Sequence, residues 1–164
     1  MLFRSSTGSN FTVNVPAVNG NIVTTADTGT ITQAMIGSGF YAGYGPAFSA
    51  YLSSNQSISG GGSWNKMTLQ SEEFDTANCF DSTTNYRFTP NVAGYYQFSA
   101  GVQLQSSVVM AIGLYKNGSV ARQGMYTNSA TLQGCTISGL IYLNGSTDYV
   151  ELYCYNGGTT SNTQ

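Results

Sequence analysis

Hydrophobic and polar positions alternate with period two through the middle of the chain. From Tyr95, the residues Tyr96, Phe98, Ala100, Val102 and Leu104 fall on one face. Tyr95, Gln97, Ser99, Gly101 and Gln103 fall on the other. This alternation predicts a β-strand with one buried face. From Pro46 onward the same texture returns at short intervals. It predicts strands over Ala47–Ser53, Trp64–Gln70, Tyr86–Thr89, Tyr95–Gln105, Val108–Tyr115, Ser119–Met125, Thr131–Leu143 and Thr147–Tyr155. Between them, "SGGGS" (Ser59–Ser63), "KNGS" (Lys116–Ser119) and "NGS" (Asn144–Ser146) supply turn residues, and their Asn-Gly pairs accept positive φ. No segment sustains a helical period. The expected fold class is all-β, a β-sandwich with almost no helix, formed by residues 46–164.

Two of these strands are apolar on both faces. Val108–Tyr115 sets Val108, Met110, Ile112 and Leu114 on one side, and Val109, Ala111 and Tyr115 on the other. In the last strand Val150, Leu152 and Cys154 share a face, while Tyr149, Tyr153 and Tyr155 flank Glu151 on the opposite one. A sandwich strand needs only one apolar face. The second faces therefore predict a subunit interface made of Val109, Ala111, Tyr115, Tyr149, Tyr153 and Tyr155. The plainer alternative is a well-covered central strand with scattered surface tyrosines.

Residues 1–45 have a different pattern. "FTVNVP" alternates Phe11, Val13 and Val15. Two short β-like pieces, Asn21–Thr25 with Ile22 and Val23, and Thr30–Ala34 with Ile31, surround the turn "ADTG". Met35 and Ile36 follow, then a glycine-rich hinge, "GSGFYAGYGP". So few large apolar residues make no core of their own. The expectation is an extended β arm that orders on another subunit or a larger assembly.

Composition narrows the function. The chain has 164 residues, of which only 7% are charged, against about 25% in ordinary domains. Its cations are Arg4, Lys66, Arg87, Lys116 and Arg122, and its net charge is −2. Nucleic-acid affinity comes from clustered cations, so that partner is excluded. No apolar run is long enough for a transmembrane helix, so no membrane association is expected. The start, "MLFRSSTGSN", lacks the apolar core of a secretory signal. Ser, Thr, Asn, Gly and 12 Tyr give the chain an extracellular texture. A virion surface protein, assembled in the host cytoplasm and released by lysis, reconciles the two.

Candidate chemistry is sparse. There is no histidine, which excludes Ser-His-Asp and Cys-His catalysis. "SEEFD" (Ser71–Asp75) is the one acidic cluster. In a strand, Glu73 and Asp75 would share a face, as a glycosidase requires. In a loop, they could bind calcium through oxygens. The plain reading is a solvated acidic loop. Cys79, Cys135 and Cys154 are odd in number, so they cannot all pair within the chain, and they read as buried thiols. No cofactor, metal or catalytic residue is expected.

The order of several motifs carries a resemblance. "PAFSAYL" (Pro46–Leu52), "FD" (Phe80–Asp81), "YRFTPNVAGYYQFSAGV" (Tyr86–Val102), "LYKNGS" (Leu114–Ser119) and "SGLIYLNGSTDYVELY" (Ser138–Tyr153) follow one another along the chain. Together they resemble the globular head of the complement C1q and tumour-necrosis-factor superfamily. The resemblance implies a jelly-roll sandwich assembled as a homotrimer, with Gly94 at the turn before a core strand. Calcium-binding heads occur in that superfamily. Two departures stand out. The sequence stops at "NGGTTSNTQ", before the usual closing apolar strand, so either the chain is truncated or that strand is absent, which leaves a sheet edge or interface position open. No Gly-X-Y stalk precedes the head. Instead "GNIVTTADTGTITQAMIGSG" looks like linkers upstream of such heads in bacteriophage fibre and other virion structural proteins. The expected function is a non-enzymatic, homotrimeric virion surface protein. It would be a capsid decoration (cement) protein or a short fibre, anchored to a capsid protein by the arm. One alternative is the receptor-binding tip of a tail fibre, touching a host glycan or surface protein through Ser53–Gly62, Met125–Ala130 and Asn156–Thr160. Another is a secreted C1q-like lectin.

Overall fold

The computed structural model describes residues 45–105, 109–128 and 133–164. The chain divides into two units, Met1–Tyr41 and Ala42–Gln164, and the described residues all belong to the second. The predicted arm residues Phe11, Val13, Val15, Ile22, Val23, Ile31, Met35 and Ile36 lie outside them.

The described residues form strands only, with no helix. In chain order these are β1 (Phe48–Tyr51), β2 (Ser57–Ile58), β3 (Ser63–Lys66), β4 (Ser71–Asp75), β5 (Phe80–Asp81), β6 (Arg87–Phe88) and β7 (Ala93–Leu104). There follow β8 (Val109–Lys116), β9 (Ser119–Gln123), β10 (Thr127–Asn128), β11 (Gln133–Asn144), β12 (Val150–Asn156) and β13 (Ser161–Asn162). Pairing is antiparallel throughout. The larger sheet has seven strands in the order β10-β8-β12-β6-β5, with β3 also on β12 and β9 also on β8. Opposite it, β7 and β11 pair along their whole length, from Gln133↔Leu104 to Asn144↔Ala93. Two short pairs, β1–β4 and β2–β13, complete the sandwich.

The alternation read from β7 holds. Phe98, Val102 and Leu104 are buried, Tyr96 and Ala100 pack partly against the core, and Tyr95, Gln97, Ser99, Gly101 and Gln103 are exposed. From the facing sheet come Met110, Ile112, Leu114, Val150, Leu152 and Cys154. Burial of this one apolar cluster is the main stabilising term. Phe88 sits near its centre. Its ring stacks on Phe48 at 4.7 Å and meets Tyr96 and Phe98 edge-on at 5.4 and 5.8 Å. Phe48 also stacks on Phe80 at 4.7 Å, so one β1 side chain holds the β1–β4 pair to the sandwich.

The predicted hairpin turn after β8 is present. Asn117 (φ 51°) and Gly118 (φ 78°) take the left-handed conformations that a two-residue hairpin turn needs. Asn117 does more: its Oδ1 accepts from Tyr149 N–H at 3.0 Å, and its Nδ2 donates to Asp148 at 2.7 Å. Lys116 reaches the same carboxylate at 2.8 Å. The two Asn-Gly turns are thereby tied together. Residues 71–75, which read most plainly as a loop, are instead strand β4. Predicted Trp64–Gln70 is a strand only to Lys66. Among the described residues no helix is long and apolar enough to cross a membrane.

Candidate assembly surface

The six residues predicted to face a partner come out on the outer side of the larger sheet, with unequal prospects. Register sets Tyr155 beside Ala111 and Trp64, and Tyr153 beside Gly113 and Lys66. The rings form a continuous layer. Tyr153 lies on Tyr115 at 4.2 Å, Tyr115 meets Trp64 at 5.7 Å, Trp64 meets Tyr155 at 5.4 Å and Tyr155 meets Tyr126 at 5.1 Å. Glycine at 113 leaves these rings room: a Cβ would stand 3.0 Å from Tyr115 and 3.3 Å from Trp64, so the rings would have to shift. Ala111 is fully covered by its own chain and has no surface left for a partner. Val109 is half-buried beside Gly157. Tyr149 stands apart, its ring 4.1 Å from the Arg87 guanidinium carbon.

This aromatic layer is held by charge as well as packing. Glu151 is 7% exposed and pairs with Lys66 at 2.6 Å, and Tyr153 Oη donates to it at 3.5 Å. Burial pushes the Tyr153 and Tyr115 hydroxyls above their ordinary value of 10.0, so both rings stay neutral. Half-buried rings stacked on one another have already spent most of their apolar area inside the chain.

The opposite sheet shows the reverse. Register across β7 and β11 sets Tyr95 against Tyr142, Gln97 against Leu140, Ser99 against Ser138, Gly101 against Thr136 and Gln103 against Gly134. These ten outward positions include no charged residue. At one end Tyr95 is 73% exposed, Leu140 49% and Tyr142 47%. Gln97 Nε2 donates to Ser138 Oγ at 2.7 Å, which fixes the amide along the face. Lys116 Nζ stands 5.8 Å from the Tyr142 ring centroid and donates to Tyr142 O at 2.8 Å, and the ladder positions themselves, uncharged and with exposed aromatics at one end, match the composition of interface cores. The sequence reading placed Tyr95 on a polar face and did not single out Leu140 or Tyr142. Their signal was present as two large apolar residues breaking a small polar series, Gly134, Thr136, Ser138.

Between β1 and β7 lies a groove of about 470 Å³. Phe48–Leu52 form one wall and Gln97–Gln103 the other, above a floor that includes Met67, Leu69, Phe80, Leu114 and Leu152. Among the described residues, β7 pairs on this side only at its end, where Leu104 bridges Thr163.

The acidic cluster has been absorbed by the fold. Ser49 Oγ donates to Glu73 at 2.7 Å. Asp75 accepts from the N–H groups of Ala77 and Phe80 at 3.2 and 2.6 Å. No group of three or more His, Cys, Asp or Glu residues that could hold a metal occurs among the described residues. Cys79, Cys135 and Cys154 are buried free thiols. Burial, followed by the nearby Cys135, pushes Cys154 up to about 12.

The sequence matches no family model and no curated protein.

Proposed function

We propose that this chain is a non-enzymatic structural module that assembles with copies of itself through the uncharged outer face of β7 and β11. The observation that carries the reading is the exposed trio Tyr95, Leu140 and Tyr142 at the end of a face whose ladder positions hold no charged residue, with the Lys116 ammonium 5.8 Å from the Tyr142 ring centroid. An interface core lacks charge because a desolvated ion needs a partner. The threefold order, the jelly-roll topology and the virion setting rest on the resemblance of the sequence to C1q-like heads and virion linkers. On that basis the protein is a homotrimeric capsid decoration or short-fibre protein, with residues 1–45 as its anchor to a capsid protein. Light scattering on the purified full chain tests it. A trimer is expected, and a monomer at every concentration refutes the assembly on which the reading stands.

A second reading has its own observation. Described parts of the loops named for receptor contact, residues 61–62, 126 and 156–158, meet at one end of the aromatic layer. Gly61 N–H donates to Gly158 O at 2.7 Å, Gly62 N–H to Asn156 O at 2.9 Å, and Tyr126 packs on Tyr155 beside Trp64. Aromatic faces beside glycine loops suit sugar rings. Trp64 is the sole tryptophan. Its fluorescence therefore reports glycan binding directly, and a signal unmoved across host surface glycans removes this reading.

A further inference from the structure

We propose that Lys116 and Arg122 guard the outer edge of β11, holding its carbonyl groups so that a second copy of the chain cannot add its own β11 there. This goes beyond assembly through the β7–β11 face. It concerns the edge of that sheet, and it decides which surface of the chain is open to association.

Backbone direction carries the argument. In an antiparallel ladder each residue turns its N–H and C=O to the same side, and successive residues alternate. Among the described residues β11 pairs with β7 alone. Arg122 Nη2 donates to Leu140 O at 2.9 Å, and Lys116 Nζ donates to Tyr142 O at 2.8 Å. Leu140 and Tyr142 therefore turn their backbone groups away from β7, and by parity Ser138 does so as well. Residues 138–142 thus present an edge as long as a short strand. Such an edge is a template for pairing with another chain. Here two of its three carbonyls are already taken by cationic side chains.

Separate devices hold the two cations in place. Lys116 ends β8, and its ammonium also pairs with Asp148 at 2.8 Å. Asn117 Nδ2 donates to that carboxylate at 2.7 Å, so the anchor is itself fixed. Arg122 lies in β9, and its stem runs past Gly139. A Cβ at 139 would stand 2.8 Å from Arg122 Cγ, so only glycine leaves the stem this path. Arg122 Nη1 donates to Ala121 O at 2.7 Å. Among the described residues no carboxylate pairs with Arg122, whereas Lys66 and Lys116 each have one. Its guanidinium is committed to carbonyls. A strand adding to this edge would have to displace both cations or bury them in the sheet, and a buried charge without a partner is costly.

The test compares the solution mass and amide exchange of the full chain with those of variants at equal concentration. Lys116→Ala combined with Arg122→Ala frees both carbonyls. Its mass should rise with concentration to about twice the parent's or more, because two copies of one edge pair about a twofold axis. The Leu140 and Tyr142 amides should then exchange about tenfold more slowly than in the parent, while Ile141, which faces β7, stays unchanged. Parental mass and exchange at every concentration overturn the proposal. A rise in mass without slowing of those two amides overturns it too, since association then runs through another surface. Arg122→Ala alone keeps the Lys116–Asp148 pair, so it reads the Leu140 end if the double variant does not fold. Gly139→Ala keeps every charge and displaces the Arg122 stem, and it should associate as Arg122→Ala does. Parental behaviour of Gly139→Ala beside association of Arg122→Ala overturns the guard, because net charge and not the seated guanidinium would then control association. The parent's own mass tests the assembly face separately, since the guard is read only from the difference between variant and parent.

Discussion

Tyr95 on β7 and Tyr142 on β11 stand directly opposite each other, edge to face, with ring centroids 5.3 Å apart and both rings in solvent. An aromatic pair of this geometry contributes about 1 kcal/mol beyond its burial. Leu140, next along the same face, extends the apolar patch. The proposed interface therefore makes a sharp prediction at Leu140. Leu140→Glu places a charge where a partner would desolvate it. The solution mass should fall to that of a monomer. The change is on the surface, so stability of the isolated chain should stay within about 0.5 kcal/mol. An unchanged mass with unchanged stability moves the interface elsewhere.

Trp64→Ala should behave in the opposite way. Trp64 bridges Tyr115 and Tyr155 within one chain. Truncating a half-buried ring of this size should destabilise the fold by about 2–3 kcal/mol. If the aromatic layer is internal packing, denaturant melts will show that loss and the oligomeric mass at low temperature will not change. Loss of mass without loss of stability would return the interface to Tyr115, Tyr153 and Tyr155.

These two positions also show what the sequence could reveal. The inward face of β7 was legible because a period of two survives intact from Tyr96 to Leu104. The double-sided apolar character of β8 and β12 was legible as well. What covers their second faces was not, because Trp64 reaches them through the pairing of β3 with β12, across a long stretch of chain. Tyr142 took on meaning only once register set it against Tyr95. Strand β4 was missed because acidic residues are depleted in strands. Pairing with β1, and the bonds from Ser49 to Glu73 and from Phe80 N–H to Asp75, override that preference.

Acid should weaken the fold through Asp81. Its Oδ1 accepts from the N–H groups of Thr84 and Thr83 at 2.9 and 3.0 Å. Its Oδ2 accepts from Asn85 Nδ2 at 2.7 Å and Asn85 N–H at 3.0 Å. The backbone donors of Thr84 and Thr83, then the Asn85 amide, hold this carboxyl far below its ordinary value of 3.8. A depressed folded value stabilises above the unfolded value and is lost as pH falls through the folded one. The stabilisation is therefore complete near neutrality and declines below about pH 4. Asp148, held low by Lys116 and then Asn117, adds in the same direction. Asp81→Asn turns an amide donor toward the Asn85 donors. Its Tm should be lower than the parent's at pH 7, and the two should converge as pH falls below about 4. Parallel Tm curves through that range would remove Asp81 from the acid response.

Cys79 and Cys154 should label in an order set by the sheet. Cys154 lies in β12, with β8 bonded on one side and β3 on the other, and it is fully covered. Its thiol, pushed up to about 12 by burial, forms almost no thiolate at pH 8. Cys79 lies outside any strand, just before β5, and burial raises it too. Reaction with a thiol reagent needs both exposure and the thiolate, so labelling of the native protein must wait for local opening. Loops open more readily than central strands. Cys79 should therefore label before Cys154, and Cys154 only at the rate of global unfolding. In denaturant all 3 cysteines should react without prior reduction. Mass spectrometry of quenched samples resolves the three sites. Fast native labelling of Cys154 would mean that β12 opens independently of the rest of its sheet, and fewer than three reactive thiols in denaturant would reveal a disulfide between chains.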